Sequence, residues 1–289
     1  MISVIIPAFN RAVMLKRAVE SVLSQSYTDF ELIVVDDGSS EDLSEIEAVV
    51  VSAGGHFIKT VNSGPAHARN EGAAIAGGEW LSFLDSDDLW LKDKLKEQVN
   101  YHRENPNIKI SQCAEVWYRN GRRVNPRLRH SMPQGDAFLK SLELCCISPS
   151  SVMISRSLFE SSGGFDPRFK VCEDYELWLR ITLREKVGFV KKELVIKHGG
   201  HPDQLSRKYP AMDRFRVAAL LKLISENQLD FQQKESVKAQ VLYKTQILLQ
   251  GAEKRGKLES VKLYRQVLDL ISSGSCSTDP DLIDALLAA

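Results

Sequence analysis

Hydrophobic and polar positions alternate between two periods over the first hundred residues. Short continuous apolar runs, typical of strands buried on both faces, are separated by segments with apolar residues at helical spacing. The predicted strands cover 2–6, 32–35, 57–61 and 80–84, and the predicted helices cover 11–25, 41–51, 65–77 and 92–103. Asn10 is the predicted N-cap of the first helix. This alternation predicts βαβ units and a Rossmann-like α/β fold with a mostly parallel sheet.

The pattern changes after residue 107. The segments 108–118 and 122–124 flank Asn120-Gly121 and predict a hairpin, because Asn-Gly suits a type I′ turn. Two further strands are predicted over 150–154 and 187–196, with a helix over 173–184 between them. From residue 211 onward the spacing is helical, over 215–224, 237–249 and 258–271. We therefore predict a boundary near 206–212 and a C-terminal helical extension.

The composition predicts a soluble globular protein. The chain has 289 residues with 43% apolar side chains, enough for one large domain or a domain with an appendage. No apolar run approaches the ~20 residues that span a bilayer. Five cysteines, an odd number without paired metal-ligand spacing, indicate reduced thiols. We expect a cytoplasmic location, with peripheral contact at the inner face of a membrane as an alternative.

The net charge is zero, with 38 basic and 38 acidic residues, which argues against a nucleic-acid-binding protein. The charges are unevenly distributed. Residues 1–118 hold 10 basic and 18 acidic groups (net −8), whereas residues 186–270 hold 17 and 9 (net +8). The first part therefore offers acidic ligands, and the later part offers cations.

An aspartate-rich segment, Asp85-Ser86-Asp87-Asp88, directly follows a predicted strand. Ligands of open α/β sheets bind outside the carboxyl ends of the strands. Carboxylate oxygens are the ligands that Mg²⁺ and Mn²⁺ prefer, and such ions keep positions open for substrate phosphates. The alternative is that Asp88 caps the next helix and that the others form a solvated turn.

Six ordered segments resemble the motifs of inverting family-two glycosyltransferases, which have the GT-A fold. They are VIIPAFNR (4–11), ELIVVDDGS (31–39), NSGPAHARN (62–70), WLSFLDSDD (80–88), GGFD (163–166) and EDYELWLR (173–180). The resemblance covers about residues 1–205. It implies transfer of a sugar from a nucleotide-diphosphate donor, with uridine as the favoured nucleoside, to an acceptor hydroxyl.

The resemblance assigns the nucleotide to residues at the ends of the first strands. It implies that Pro7, Ala8 and Phe9 line the base and that Asp37 accepts a hydrogen bond from it. Phe9 could instead lie in the core. It also implies that Arg69 reaches the nucleotide, the alternative being a surface pair with a neighbouring glutamate.

The metal is expected to be Mn²⁺ or Mg²⁺. The resemblance makes Asp87 the first choice of metal ligand. It makes Asp85 either a second metal ligand or the residue that binds a hydroxyl of the donor, and Ser86 lies between them as a further donor contact. His201 is a candidate metal or diphosphate contact, and Arg207 a candidate for a lid over the donor. The alternative for both is a loop without a ligand.

Inverting transfer needs one base to take the proton of the acceptor hydroxyl. Glu173 and Asp174 start a predicted helix, where acids also complement the helix dipole. The resemblance implies that Asp174 is the base and Glu173 its neighbour. Trp178 is either an acceptor platform or a core residue.

The predicted organisation is a nucleotide-sugar-binding half (1–118), an acceptor-side half (119–208) and a helical extension (209–289). The expected acceptor is a carbohydrate or glycolipid. The extension could cover the catalytic part, form a homodimer or contact a membrane, and the arginine-rich segment 119–129 is a solvated hairpin or a contact for phosphorylated acceptors or anionic lipid. Rival hypotheses are a non-catalytic scaffold and a sugar-phosphate nucleotidyltransferase. The latter needs a Gly-rich basic loop after the first strand, which the sequence lacks.

Overall fold

The computed structural model describes residues 1–124, 131–200, 208–226, 228–273 and 280–289. The strands are β1 (Ile2–Ala8), β2 (Phe30–Asp36), β3 (His56–Lys59), β4 (Trp80–Phe83), β5 (Leu89–Trp90), β6 (Ile110–Arg119), β7 (Arg122–Val124), β8 (Met153–Ser155) and β9 (Val187–Gly199). The helices are α1 (Ala12–Leu23), α2 (Ser44–Ser52), α3 (Pro65–Ile75), α4 (Lys94–Glu104), α5 (Phe138–Glu143), α6 (Arg156–Ser161), α7 (Glu173–Thr182), α8 (Asp213–Ser225), α9 (Phe231–Lys254), α10 (Leu258–Ser272) and α11 (Pro280–Ala288).

Within these described ranges the strands form one nine-stranded sheet in the order β3-β2-β1-β4-β8-β6-β9-β5, with β7 paired to β6. The pairs that β1 to β4 form with one another are all parallel, and β6 is parallel to β9. Strand β8 runs antiparallel between the two parallel parts. The predicted mostly parallel α/β sheet is therefore confirmed.

The central strands are buried on both faces. In β1, Val4 and Ile6 pack into one hydrophobic cluster and Ile5 into the cluster on the opposite face. In β2, Leu32 and Ile33 divide in the same way. Because successive strand residues point to opposite faces, only a continuous apolar run can satisfy both clusters.

Two glycines permit close approaches near the carboxyl edge of the sheet. A Cβ added to Gly72 in α3 would lie 2.6 Å from Ile5 Cγ2, so the small residue lets this helix pack directly on β1. Gly38, in the turn after β2, has a φ of +78°, and an added Cβ would lie 2.8 Å from the Asn62 amide nitrogen. Both approaches shape the segments that border the candidate site.

The predicted hairpin is confirmed. Strands β6 and β7 are antiparallel, and the Asn120 and Gly121 between them have φ values of 51° and 74°. Positive φ at both central positions is what a type I′ turn requires.

The C-terminal helices α8 to α11 share a hydrophobic cluster with α5 and α7. Phe215 and Val241 belong to one hydrophobic cluster with Tyr175 and Leu179 of α7, and the Arg214 guanidinium donates to the Leu286 carbonyl at 2.8 Å. The extension therefore supports the helix that begins at Glu173. Among the helices of the described ranges, none combines the length and apolar character needed to cross a bilayer.

Several local predictions differ from the structure. Helix α1 begins at Ala12, so Asn10 is not its N-cap. Asn10 has a φ of 49°, and its Oδ1 accepts from the Ser40 amide at 2.7 Å, which ties together the loops after β1 and β2. The short elements α5, α6, α11 and β5 were not predicted, because a few residues give too little periodicity to recognise.

Candidate active site

The loops that follow β1 and β2 meet at the carboxyl edge of the sheet. Ala8 pairs with Asp36, and the Asp37 amide donates to the Ala8 carbonyl at 2.8 Å. Pro7 and Ala8 complete β1, and Phe9 beyond them is 42% exposed. The interpretation of Phe9 as a core residue is therefore wrong, and its ring is accessible at this edge.

Asp37 is buried, and its carboxylate holds the turn that leads into α3. Its Oδ1 accepts from the Ser63 amide and its Oδ2 from the Gly64 amide, each at 2.8 Å. The structure thus gives Asp37 a structural role that the sequence did not indicate. Its contact with a nucleotide base stays a prediction.

Three carboxylates cluster directly after β4. Asp85, Asp87 and Asp88 each place one carboxylate oxygen within 4.8 Å of the others, and we call them the acid cluster. Ser86 between them is buried. Asp88 is 1% exposed and α4 begins only at Lys94, so Asp88 is not the cap of that helix. Three carboxylates at this spacing match the oxygen donors that a hard divalent cation prefers.

Cations from distant parts of the chain pair with the acid cluster. Arg11 Nη1 donates to Asp87 Oδ2 at 2.6 Å, and Arg69 Nη2 donates to Asp85 Oδ1 at 2.7 Å. Burial alone would raise the pKa of Asp85, but the Lys197 ammonium and the Arg69 guanidinium hold it well below its usual range. Asp85 is therefore a charged carboxylate at neutral pH.

Lys197 of β9 is the cation that the sequence reasoning missed. Its Nζ lies 2.6 Å from Asp88 Oδ2 and 3.4 Å from Asp85 Oδ2, and it donates to Ser148 Oγ at 3.1 Å. Burial alone would lower its pKa, but Asp88 and Asp85 raise it well above the usual value. A lysine near the end of an otherwise half-buried strand was the available signal.

Ser150 and Glu115 also belong to this region. Ser150 Oγ donates to Asp88 Oδ2 at 2.6 Å and accepts from the Asp85 amide at 3.1 Å. Burial raises the pKa of Glu115, and the nearby Lys197 opposes this. Neither residue belongs to a sequence motif. Glu115 reaches the site through the packing of β6, and Ser150 through the turn before β8.

Arg69 joins the acid cluster to the start of α7. It is 4% exposed, and its Nη1 donates to Glu173 Oε1 at 2.7 Å while its Nη2 donates to Asp85. The guanidinium also lies 5.2 Å from the centroid of the Phe165 ring. The surface pairing considered from the sequence is therefore wrong. The structure makes Arg69 a bridge between two motifs, and its contact with the nucleotide stays a prediction.

The two acids at the start of α7 differ in their surroundings. Glu173 is buried, which raises its pKa to about 7 against the opposing charge of Arg69. Asp174 is partly exposed. Its Oδ1 accepts from the Tyr175 amide at 2.7 Å, and its Oδ2 accepts from Cys145 Sγ at 3.2 Å. Of the pair, Asp174 is the acid that a ligand can approach.

Two other predictions concern aromatic and loop residues. Trp178 is 1% exposed and packs edge-on against Phe165 with ring centroids 6.1 Å apart, so it is a core residue rather than an acceptor platform. His201 and Arg207 lie outside the described residues.

A cleft of about 810 Å³ lies on another side of α7, among the residues that the structure describes. Gly164, Arg180 and Lys222 line it, and the acid cluster does not. Arg180 and Lys222 are both paired with Glu176 at 2.7 Å, and none of the proposed site residues within the described ranges lines this cleft. The candidate active site is therefore the carboxyl edge of the sheet.

The fold and the acids at the strand ends define a GT-A-type α/β protein. The chain belongs to the glycosyl transferase family 2, whose family model matches residues 3–163. The sequence-based assignment to this family is thereby confirmed.

Two relatives and one solved structure illustrate the similarity. An uncharacterized glycosyltransferase of Rickettsia felis is 34% identical over 194 residues, 67% of this chain, and the chain spans only about a third (32%) of that relative. The UDP-Glc:alpha-D-GlcNAc-diphosphoundecaprenol beta-1,3-glucosyltransferase WfgD of Escherichia coli is 32% identical over 194 residues, 66% of this chain and 73% of WfgD. The crystal structure of S. aureus TarS 1-349 matches with a TM-score of 0.73 at 17% identity, covering 99% of this chain and 90% of that one.

Proposed function

We propose that this protein is a metal-dependent, inverting glycosyltransferase that moves a hexosyl or related sugar from a nucleotide-diphosphate donor to an acceptor hydroxyl. The observation that carries the proposal is the set of ion pairs from Asp85 of the acid cluster through Arg69 to Glu173, which precedes Asp174 in the sequence. It joins a candidate metal site to the neighbour of a candidate base.

UDP is the donor nucleotide that we favour. WfgD uses UDP-glucose according to its name, and the TarS fragment has also been solved in complex with UDP and with UDP-GlcNAc. In this chain Pro7, Ala8 and the exposed Phe9 are the proposed lining for the base, and Asp37, which directly follows β2, is its proposed hydrogen-bond acceptor. Ser86 and Arg207 are further proposed donor contacts.

Asp87 and Asp85 would hold Mn²⁺ or Mg²⁺, with His201 as the proposed third ligand. The bound cation would neutralise the diphosphate leaving group. Asp85 stays ionised because Arg69 and Lys197 offset its burial. Asp85 would therefore offer a charged oxygen to the cation at neutral pH.

Asp174 is the proposed base. Its carboxylate takes the proton of the acceptor hydroxyl while that oxygen forms a bond to the anomeric carbon. The bond from this carbon to the donor diphosphate breaks, and its electron pair leaves with the diphosphate oxygen. Attack from the opposite face inverts the anomeric configuration. Arg69 and Glu173 fix the start of α7 and so the position of Asp174.

We further propose the division predicted from the sequence, with 1–118 for the donor, 119–208 for the acceptor and 209–289 as a supporting extension. The proposed acceptor is a carbohydrate or glycolipid in polysaccharide or glycoconjugate synthesis. This chain covers only about a third (32%) of the length of the Rickettsia felis relative, so the substrates are proposed for this chain alone.

The test is incubation of the purified chain with Mn²⁺ and a panel of nucleotide-sugars, with nucleotide release and donor binding as readouts. We expect binding of at least one UDP-sugar that EDTA abolishes. Asp87→Asn should weaken this metal-dependent binding at least about tenfold, because a metal ligand is lost. Metal-independent binding, or no binding of any donor, would refute the proposal.

A further inference from the structure

Helices α8 and α9 of the extension bring two cations close to the start of α7. Phe215 and Val217 pack in the same hydrophobic cluster as Cys172 and Tyr175, which flank Glu173 and Asp174 in sequence. The position of α8 relative to the proposed base is therefore fixed by core packing.

Arg216 is the first of these cations. It is 21% exposed in its side chain, and its Nη1 donates to Asp213 Oδ1 at 2.7 Å. Its Nε is buried and finds no hydrogen-bond partner within the part of the chain that the structure describes. A buried guanidinium N–H without a partner is costly and calls for a ligand or a water molecule.

The guanidinium lies within electrostatic reach of the residues around Asp174. Burial raises the pKa of the Cys172 thiol to about 12, and the positive charge of Arg216 is the main opposing influence. Burial also raises the pKa of the Cys145 thiol, which donates to Asp174 Oδ2, and the positive charge of Arg216 opposes this rise. Together with the packing of α8 against α7, this places Arg216 near the proposed base.

Lys244 of α9 is the second cation. It is 4% exposed, its Nζ donates to the Glu143 carbonyl at 2.8 Å, and it lies 3.7 Å from Asp213 Oδ1. Asp213 thus faces both Arg216 and Lys244, which leaves this group with one net positive charge. The partly exposed guanidinium suits a phosphoryl group, which accepts several charge-assisted hydrogen bonds, and the buried ammonium adds to the positive charge.

We propose that Arg216 binds a phosphoryl group of the acceptor, with Lys244 adding positive charge behind it, so that the substrate is a phosphorylated sugar or a phosphate-linked glycolipid. The inference rests on the proposed glycosyl transfer. The helical extension then contributes directly to acceptor selection.

The first test is anion binding at Arg216 itself. The Nε–Hε signals of ¹⁵N-arginine-labelled protein are recorded by NMR with UDP and Mg²⁺ saturating the donor site, and the Arg216 signal is assigned by its absence in Arg216→Gln. Glycerol phosphate and octyl phosphate, the free and lipid-borne forms of the group, are then titrated in. We expect a saturable shift of the Arg216 signal with one of these phosphates or with both. The phosphate that binds more tightly shows whether the acceptor's phosphoryl group is free or lipid-borne.

Calorimetry supplies the matched control. Arg216→Gln should weaken binding of the same phosphates about tenfold or more, because charge-assisted hydrogen bonds are lost. Arg265→Gln removes an arginine of the same extension that is 63% exposed and paired with Glu253, and it should bind like the wild type. No saturable shift, an equal shift with acetate at the same ionic strength, or equal losses in both variants would overturn the proposal.

The second test uses acceptors in pairs, each glycoside against its phosphorylated form. We expect Arg216→Gln to lower kcat/KM about tenfold for phosphorylated acceptors only. Transfer restricted to unphosphorylated glycosides would overturn the inference while leaving the proposed transferase intact. Absence of UDP binding with an intact shift at Arg216 would instead refute the donor assignment.

Discussion

Two lysines with little exposure to solvent lie in opposite electrostatic surroundings in this protein. Lys197 contacts Asp85 and Asp88 at the carboxyl edge of the sheet, and these acids raise its pKa well above the usual value. Lys94 at the start of α4 is fully buried, and its Nζ donates to Ser82 Oγ and the Val152 carbonyl, each at 3.2 Å. Burial lowers its pKa to about 7.

The surroundings of Lys94 form a sealed cluster, which we define by Lys94, Gln98, His102 and Ser111. Gln98 Nε2 donates to Ser111 Oγ at 3.1 Å, and burial lowers the pKa of His102 to about 4, so this ring is neutral at pH 7. Lys94, His102 and Ser111 find hydrogen-bond partners inside the protein, whereas the buried Gln98 Oε1 has none among the described residues. The comparison teaches that buried polar groups do not by themselves indicate a ligand site, whereas carboxylates and cations that meet at an accessible strand end do.

The largest effect that tests this comparison is expected at Asp174. Asp174→Asn keeps the shape of the side chain but cannot accept the proton, so we expect the transfer rate to fall about a hundred- to ten-thousandfold. UDP binding should stay within about twofold. Radiolabelled sugar transfer and calorimetry measure the two quantities.

The sealed cluster supplies the control. His102→Gln keeps a hydrogen-bonding side chain and should lower thermal stability while leaving kcat within about twofold of the wild type. Equal losses of kcat in both variants would contradict the distinction between the two regions.

The positions of the sheet and of the acid cluster could be predicted from the sequence. The apolar runs of β1, β2 and β4 and the acids that follow β2 and β4 were enough to place the sheet and its acid cluster, because strand ends are local features. The pairing of Arg69 with both Asp85 and Glu173 joins residues 16 and 104 positions apart, and no local pattern encodes it. Lys197 was missed for the same reason.

A second expectation compares the two lysines directly. Lys197→Met leaves Asp85 and Asp88 without their shared cation, so we expect a loss of about 3–5 kcal/mol in the free energy of unfolding. Lys94→Met removes a buried ammonium that no acid contacts among the described residues, and the Val152 carbonyl still accepts from Ser82 Oγ at 3.0 Å. We expect a change within about 1 kcal/mol, in either direction.

Urea unfolding at pH 7 measures both free energies, with circular dichroism as a check that each variant folds. Equal destabilisation by the two substitutions would show that the acids around Lys197 do not distinguish the regions.

The third expectation concerns pH. The pKa of Lys94 is about 7 in the folded protein, against its usual 10.5. Between these values the unfolded chain binds more protons than the folded one, so the free energy of unfolding rises with pH from about 7 to 10. The gain relative to Lys94→Met should reach a few kcal/mol, at up to about 1.4 kcal/mol per pH unit.

Urea unfolding of both proteins at pH 7, 8, 9 and 10 isolates this contribution, because other titrating groups cancel in the difference. A difference that stays constant or falls as pH rises would mean that Lys94 keeps its proton in the folded state, as Lys197 does.

The smallest effect is expected for Arg69→Lys, which tests whether Arg69 positions Asp174 or contacts the nucleotide. A lysine keeps the positive charge between Asp85 and Glu173 but lacks the planar fork that holds both carboxylates at 2.7 Å. If Arg69 acts by positioning α7, kcat should fall about tenfold while the dissociation constant of UDP stays within about twofold. If Arg69 instead contacts the nucleotide, as the sequence suggested, UDP binding should weaken and kcat at saturating donor should be nearly unchanged. The burial of Arg69 and its two ion pairs favour the first outcome, because a guanidinium that is 4% exposed and already bound to two acids has little access to a ligand.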